Sequence, residues 1–242
     1  MAQLQALVRH LPQQLRPTPV HGSPCHSLRG GKGKGFLLKH RVGKENKTHV
    51  HVMRFEDLEL YKDYDEIRQI MKSDAFIKDN QMIHHPEGFS PEYNILMNSK
   101  FYLMHLATQL NVFNTSFFYW MDMGYGHGVD IFPAGRRWSP NNLMNSSDHR
   151  VTYIMVQWFW QISSIWEVFK FNVCGILCGG FFGGTSRAVT ELYDVHRRAF
   201  RWCLDNGIVD DDQTIIIACI HRKPDLFNLV AGDWFDVFKL FH

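Results

Sequence analysis

The sequence has no long apolar run, no cysteine framework and no surplus of one charge. Its 242 residues carry 26 Lys and Arg against 24 Asp and Glu, a formal net charge of +2. Nucleic-acid binding draws on a basic field that this balance does not create, so no nucleic-acid partner is expected. No stretch reaches the roughly 18 apolar residues of a membrane-spanning helix. The most apolar segment, 151–177, is broken by Gln157, Gln161, Glu167, Lys170 and Asn172, each costly in lipid. The N-terminus lacks the apolar core of a secretory leader, so cytoplasmic residence is the default expectation. Five Cys residues are too few and too dispersed for a disulfide scaffold. Four of them (Cys174, Cys178, Cys203, Cys219) sit among apolar neighbours and read as small core residues. A Gly-x-Ser-x-Gly nucleophile elbow is also missing.

What is present is apolar bulk: 45% of residues are hydrophobic and 14% aromatic, enough for a real core. Residues 1–40 stand apart, with Arg16-Pro17-Thr18-Pro19, a string of Gly and Lys, and no apolar periodicity. Such a segment cannot offset its ordering entropy and is expected to be a tail or poorly packed lead-in. Gly30-Gly31-Lys32-Gly33-Lys34-Gly35 lacks the Ser or Thr that a phosphate loop places after Gly-Lys, and reads as a flexible basic loop.

The folded part, 42–242, is expected to form one α/β domain, because strand and helix patterns alternate along it. His49–Phe55 is a strand candidate and Glu56–Met71 a helix. Ser90-Pro91-Glu92 opens a second helix with an N-cap, Pro at the first turn and an acid. Phe117-Phe118-Tyr119-Trp120-Met121 reads as a buried, central strand. Strands are also expected at Arg150–Phe159 and Ile165–Phe171. Cys178–Gly184 reads as a Gly-rich bend that leads into a helix capped by Thr185 or Ser186 and stopped by Gly207. Asp210–Asp212 opens a last helix that ends before Pro224.

Two acidic points carry the expected chemistry. Asp122 lies at the end of the aromatic strand, before Gly124, where open α/β sheets bind ligands. A carboxylate there either turns the loop or holds a divalent cation against a diphosphate. In the run Asp210-Asp211-Asp212 one acid is a helix cap, yet three in succession repel one another, which a cap does not require. Gly179, Gly180, Gly183 and Gly184 either shape a sugar or phosphate pocket or mark a bulge or crowded turn.

Together these residues resemble the bacterial HtrL/YibB family. The resemblance rests on Pro91-Glu92-Tyr93, Ser99-Lys100-Phe101 and Trp120-Met121-Asp122-Met123-Gly124-Tyr125, and extends over about residues 42–235 through Gly179–Gly184 and Asp211-Asp212-Gln213. It implies a GT-A-like mixed sheet flanked by helices and a glycosyltransferase using a nucleotide-sugar donor and a glycan acceptor. Asp122 would then face the diphosphate, directly or through Mn²⁺ or Mg²⁺, with Gly124 and the glycine pairs around the donor. Asp211 or Asp212 would act as general base. Residues 1–40 stand where members carry a nucleotide-binding β-α unit, so an N-terminally truncated or misassembled member is expected. Asp122-Met123-Gly124 also offers one carboxylate where Asp-x-Asp offers two. The alternative is a non-catalytic glycan-binding or scaffold protein that retains the fold.

Overall fold

A mixed four-stranded sheet organises the chain. The structure is a computed structural model describing residues 6–9, 30–79, 82–122, 124–126, 130–131, 142–143, 149–158, 169 and 175–241. The expected strand at Ile165–Phe171 lies outside them, apart from Phe169. In chain order the elements are β1 (Ala6–Arg9), α1 (Gly30–His40), β2 (Val50–Met53), α2 (Tyr64–Met71), α3 (Asp74–Asp79), α4 (Pro86–Phe89) and α5 (Pro91–Leu110). After them come β3 (Phe117–Met121), β4 (Val151–Met155), β5 (Leu177–Thr185), α6 (Ser186–Asp205), α7 (Asp212–Arg222), β6 (Phe227–Ala231) and α8 (Val237–Leu240).

The sheet order is β3-β5-β4-β6, with β5 antiparallel to both neighbours and β4 parallel to β6. The carboxyl ends of β3, β4 and β6 therefore share one edge with the amino end of β5. Each strand alternates its side chains between two faces. Phe118, Tyr153, Phe182 and Phe227 pack on one face with α5, α6 and α7. Phe117, Ile154, Cys178 and Phe181 pack on the other with Val237 and Phe238 of α8. This is the α/β arrangement of sheet and flanking helices that the alternating pattern implied.

Local chemistry sets the helix ends. Ser90 Oγ accepts the Tyr93 N–H at 3.1 Å, and α5 stops at Asn111, whose φ of 33° is left-handed. Thr185 caps α6 by accepting the Ala188 N–H, and Gly207 with φ +70° ends it. Glu56–Met71 is not one helix: 3₁₀ turns at Phe55–Asp57 and Glu59–Asp63 precede α2. That detour buries Phe55, Leu58 and Leu60, which a single helix would spread around its circumference.

Two elements are described within the N-terminal segment. β1 pairs in parallel with β2, Ala6 opposite Val50. The Gly-Lys string expected as a loop starts α1, whose Leu37 is buried.

The largest correction concerns Cys178–Gly184, which is no bend but most of the interior strand β5. Its glycines are required by crowding. A Cβ on Gly183 would lie 2.6 Å from Tyr119 Cβ and 2.9 Å from the Phe118 carbonyl oxygen. One on Gly184 would lie 2.8 Å from the Arg150 carbonyl oxygen. β3 is in turn an edge strand rather than a central one, since β5 is its only partner among the described residues.

Gly183→Ala should therefore cost about 1–3 kcal/mol, the usual scale of overpacking, through a lower urea midpoint. Gly124→Ala, with nothing within 4 Å of the added methyl, should cost far less. Equal midpoints for the two variants would overturn the β3–β5 register.

Candidate functional site

The site begins with a lysine in the wrong place for a lysine. Lys100 lies on α5 between the buried residues Leu96, Phe101 and Met104, and its side chain is only 4% exposed. A buried ammonium is costly unless its three N–H groups find acceptors. It finds Asp212 Oδ2 at 2.9 Å, the Gly179 carbonyl oxygen at 3.0 Å and Asp122 Oδ2 at 3.4 Å. One side chain thus ties α5 to the start of α7, to β5 and to the end of β3.

Asp122 is placed by the sheet. Its N–H donates to the Gly180 carbonyl at 2.9 Å, extending the β3–β5 ladder by one residue. Trp120 Nε1 donates to Asp122 Oδ1 at 2.6 Å while Lys100 faces Oδ2. The carboxylate is held from both sides yet remains 40% exposed. Its backbone carbonyl accepts the Tyr125 N–H at 3.0 Å, so the residue also turns the loop.

The three consecutive aspartates take three different roles. Asp211 is the N-cap of α7: its Oδ1 accepts the N–H groups of Gln213 and Thr214 at 3.0 and 3.2 Å. Asp210 Oδ1 accepts the Asp211 N–H, and its carbonyl accepts Asn98 Nδ2 at 2.9 Å. Only Asp212 points its carboxyl at Lys100. Burial raises the Asp212 pKa to about 7, with Lys100 opposing the rise and Asp211 adding to it. Burial likewise pushes the Asp210 and Asp211 carboxyls up.

Two of the four singled-out strand glycines belong to this site. A Cβ on Gly179 would come within 3.1 Å of Asp212 Oδ2, and one on Gly180 within 3.7 Å of Asp122 Oδ2. The β4–β5 register is irregular here. Between paired positions, β4 advances two residues (153 to 155) while β5 uses five (182 to 177). Such a bulge re-aims the strand beside a site. Gly183 and Gly184 lie at the other end of β5 and take no part, and Gly124 is exposed with open space around it.

Lys100 and Trp120 stand in the quoted motifs without a role there; the structure gives them one as partners of Asp122, with the asparagines of α5 behind them. Asn98 Oδ1 lies 3.0 Å from Nε2 of His196, a buried ring stacked on Phe101 at 4.0 Å between centroids. Burial depresses the His196 pKa to about 3, so it is neutral near pH 7. The signal available in the sequence was a Lys and two Asn within an otherwise apolar helix stripe.

Among the described residues no group of three or more His, Cys, Asp and Glu side chains could hold a metal ion. Asp122 fits a narrower role. A hard divalent cation is commonly held by one or two carboxylates with substrate phosphates completing the shell, and Asp122 is a fixed, half-exposed carboxylate.

Charge balance gives a testable sign. The native Asp212 carboxyl holds its proton up to about pH 7, whereas an unfolded Asp releases it near 3.9. The folded state therefore binds more protons than the unfolded state across this window, and the Asp212 contribution falls as pH rises through it. Lys100→Met strips the ionised carboxylate of its partner. It should cost about 3–5 kcal/mol at pH 8, the scale of a broken buried ion pair, and distinctly less at pH 5.5, where Asp212 is protonated. Urea melts at both pH values, with Lys100→Met/Asp212→Asn as the restoring double variant, check this. A penalty independent of pH would sink the account.

Among the described residues, no helix is long and apolar enough to cross a membrane. Residues 32–242 match the model of a family described as "Bacterial protein of unknown function (HtrL_YibB)". Protein HtrL of Escherichia coli (strain K12) is similar at 29% identity over 182 residues, 72% of this chain and 62% of the relative. The chain thus spans less than two thirds of that relative's length. No solved structure matches. With a family match over residues 32–242, a stretch that includes Lys100, Asp122, Gly179, Gly180 and Asp212, the chain belongs to the HtrL/YibB family.

Proposed function

We propose that this chain is a glycosyltransferase with a GT-A-like sheet, moving a sugar from a nucleoside-diphosphate donor to a glycan hydroxyl. The observation that carries this reading is the convergence of Asp122 and Asp212 on Lys100 at the sheet edge, above the glycine bulge of β5. Ligands of open α/β sheets gather at the carboxyl ends of strands, and three of the four strands end at this edge. A desolvated carboxyl beside a half-exposed one is the kind of pair that acid–base chemistry uses.

The roles follow from exposure and protonation. Asp122 faces the donor diphosphate. Mg²⁺ or Mn²⁺ would be held there by Asp122 and would neutralise the charge of the leaving diphosphate. Asp212 is the base, since a carboxyl that titrates near neutrality both accepts a proton readily and releases it. It takes the proton of the acceptor hydroxyl as the new C–O bond forms and the bond to the diphosphate breaks. Lys100 holds the Asp212 carboxylate in place. Asp211, bound to two backbone N–H groups as a cap, is the positioning neighbour and not the base.

Two single variants separate binding from chemistry. Screening nucleotide sugars for thermal stabilisation, with and without Mn²⁺, identifies the donor and supplies the assay. Asp212→Asn should lower turnover by roughly 10²–10⁴-fold, the scale of a lost general base, with donor affinity nearly unchanged. Asp122→Asn should weaken donor affinity and any Mn²⁺ response together with turnover. Absence of both transfer and donor binding in the unaltered protein would give the glycan-binding scaffold its place.

A further inference from the structure

The amide of Gln213 is a polar side chain at the site whose position the mechanism leaves unexplained. Gln213 follows Asp212 in the first turn of α7, and its N–H is fixed by the Asp211 cap at 3.0 Å. Its side chain does not run out to solvent but folds back over β5. A Cβ on Gly179 would lie 2.8 Å from Gln213 Cγ and 3.2 Å from its Nε2. Gly179 is therefore glycine because the glutamine lies on it. Gln213 is half-buried, and among the described residues its amide makes no hydrogen bond. The amide is open to solvent, not sealed in the core, so its two donors and one acceptor are available to a ligand.

The register shows where that ligand sits. Gly180 receives the Asp122 N–H, so it stands directly opposite the carboxylate that faces the diphosphate. Gly179 is one residue further along β5, about 3.3 Å away, and Gln213 covers it. A sugar is bonded directly to the terminal phosphate of a nucleotide-sugar donor. Lys100 fills the gap between Asp122 and Asp212, so the ring falls on the open side of the two carboxylates, beside Gln213. An amide that donates and accepts at once suits a pair of adjacent hydroxyls and is neutral beside an already acidic cluster.

We propose that Gln213 is the residue that reads the hydroxyl pattern of the donor sugar, with Gly179 as the clearance that lets it do so. This rests on the donor-site reading above and names one of its specificity determinants.

The test uses the full chain and equilibrium binding, so it does not depend on turnover. Calorimetry compares the stabilising nucleotide sugar, its epimer differing at one hydroxyl, and the nucleoside diphosphate alone. Gln213→Met keeps length and shape while removing the hydrogen bonds. Its backbone cap is untouched, so folding is retained. The expected result is that the preference for the true sugar over its epimer falls by about tenfold, the worth of one or two neutral hydrogen bonds, while diphosphate affinity stays the same. Gly179→Ala, which pushes the amide off its seat, should reduce the same preference. Should Gln213→Met keep the full preference, Gln213 does not read the sugar and the donor site stands without it. Should no nucleotide sugar bind the unaltered protein, the donor-site reading falls and takes this assignment with it.

Discussion

The buried ammonium of Lys100 is the constraint on which the candidate site depends. Taking a charge from water costs several kcal/mol unless acceptors replace the lost hydration. The acceptors used here come from three separate places: the end of β3, the bulged start of β5 and the first residue of α7. Each must therefore stand at a set distance from α5, and the fold is arranged so that it does. Two asparagines on the same helix work in the same way. Asn94 donates to the Glu87 carbonyl at 2.8 Å and Asn98 to the Asp210 carbonyl at 2.9 Å. Helix α5 thus acts as a rack, with polar side chains that pin the backbone of the surrounding segments.

The bulge in β5 serves the same centre from the other side. Regular pairing would carry a side chain over the space where Asp212 and Gln213 lie. Within the bulge, Gly179 and Gly180 have no side chain, which leaves that space open, and the Gly179 carbonyl reaches Lys100. Asp122 and Asp212, when both ionised, outweigh the one ammonium by a single negative charge. Asp122 is the exposed member of the pair, so the residual charge is available to a cation or polar ligand at the sheet edge. Asp212 is the buried member, and burial moves its titration toward neutrality.

Family membership and fold leave activity open, because one architecture hosts many chemistries. The functional reading therefore comes from the site: one fixed half-exposed carboxylate and one desolvated carboxyl, with the Lys100 ammonium between them. Two of the sequence's acidic candidates, Asp122 and Asp212, meet there. Asp211 does not, and the reason is local: its carboxylate is occupied by two N–H groups at the start of α7.

Short-range chemistry was legible in the sequence alone. The Ser90 cap, the aromatic strand at Phe117–Met121, the helix stop at Gly207 and the start of α7 each follow from residues within a turn of one another. So did Asp122 as a strand-end carboxylate. The glycine stretch 178–184 was misread, because glycine's conformational freedom looks like a bend until the neighbours that forbid a Cβ are known. Those neighbours, Tyr119, Arg150 and Gln213, are roughly 30 to 60 residues away in the chain. The division of labour among Asp210, Asp211 and Asp212 was hidden for the same reason. Sequence places three like charges together; only packing decides which one faces an ammonium carried by a helix more than a hundred residues earlier. Lys100 itself could be noticed as an odd residue on an apolar stripe, but its three partners come from long-range contacts that no local pattern encodes.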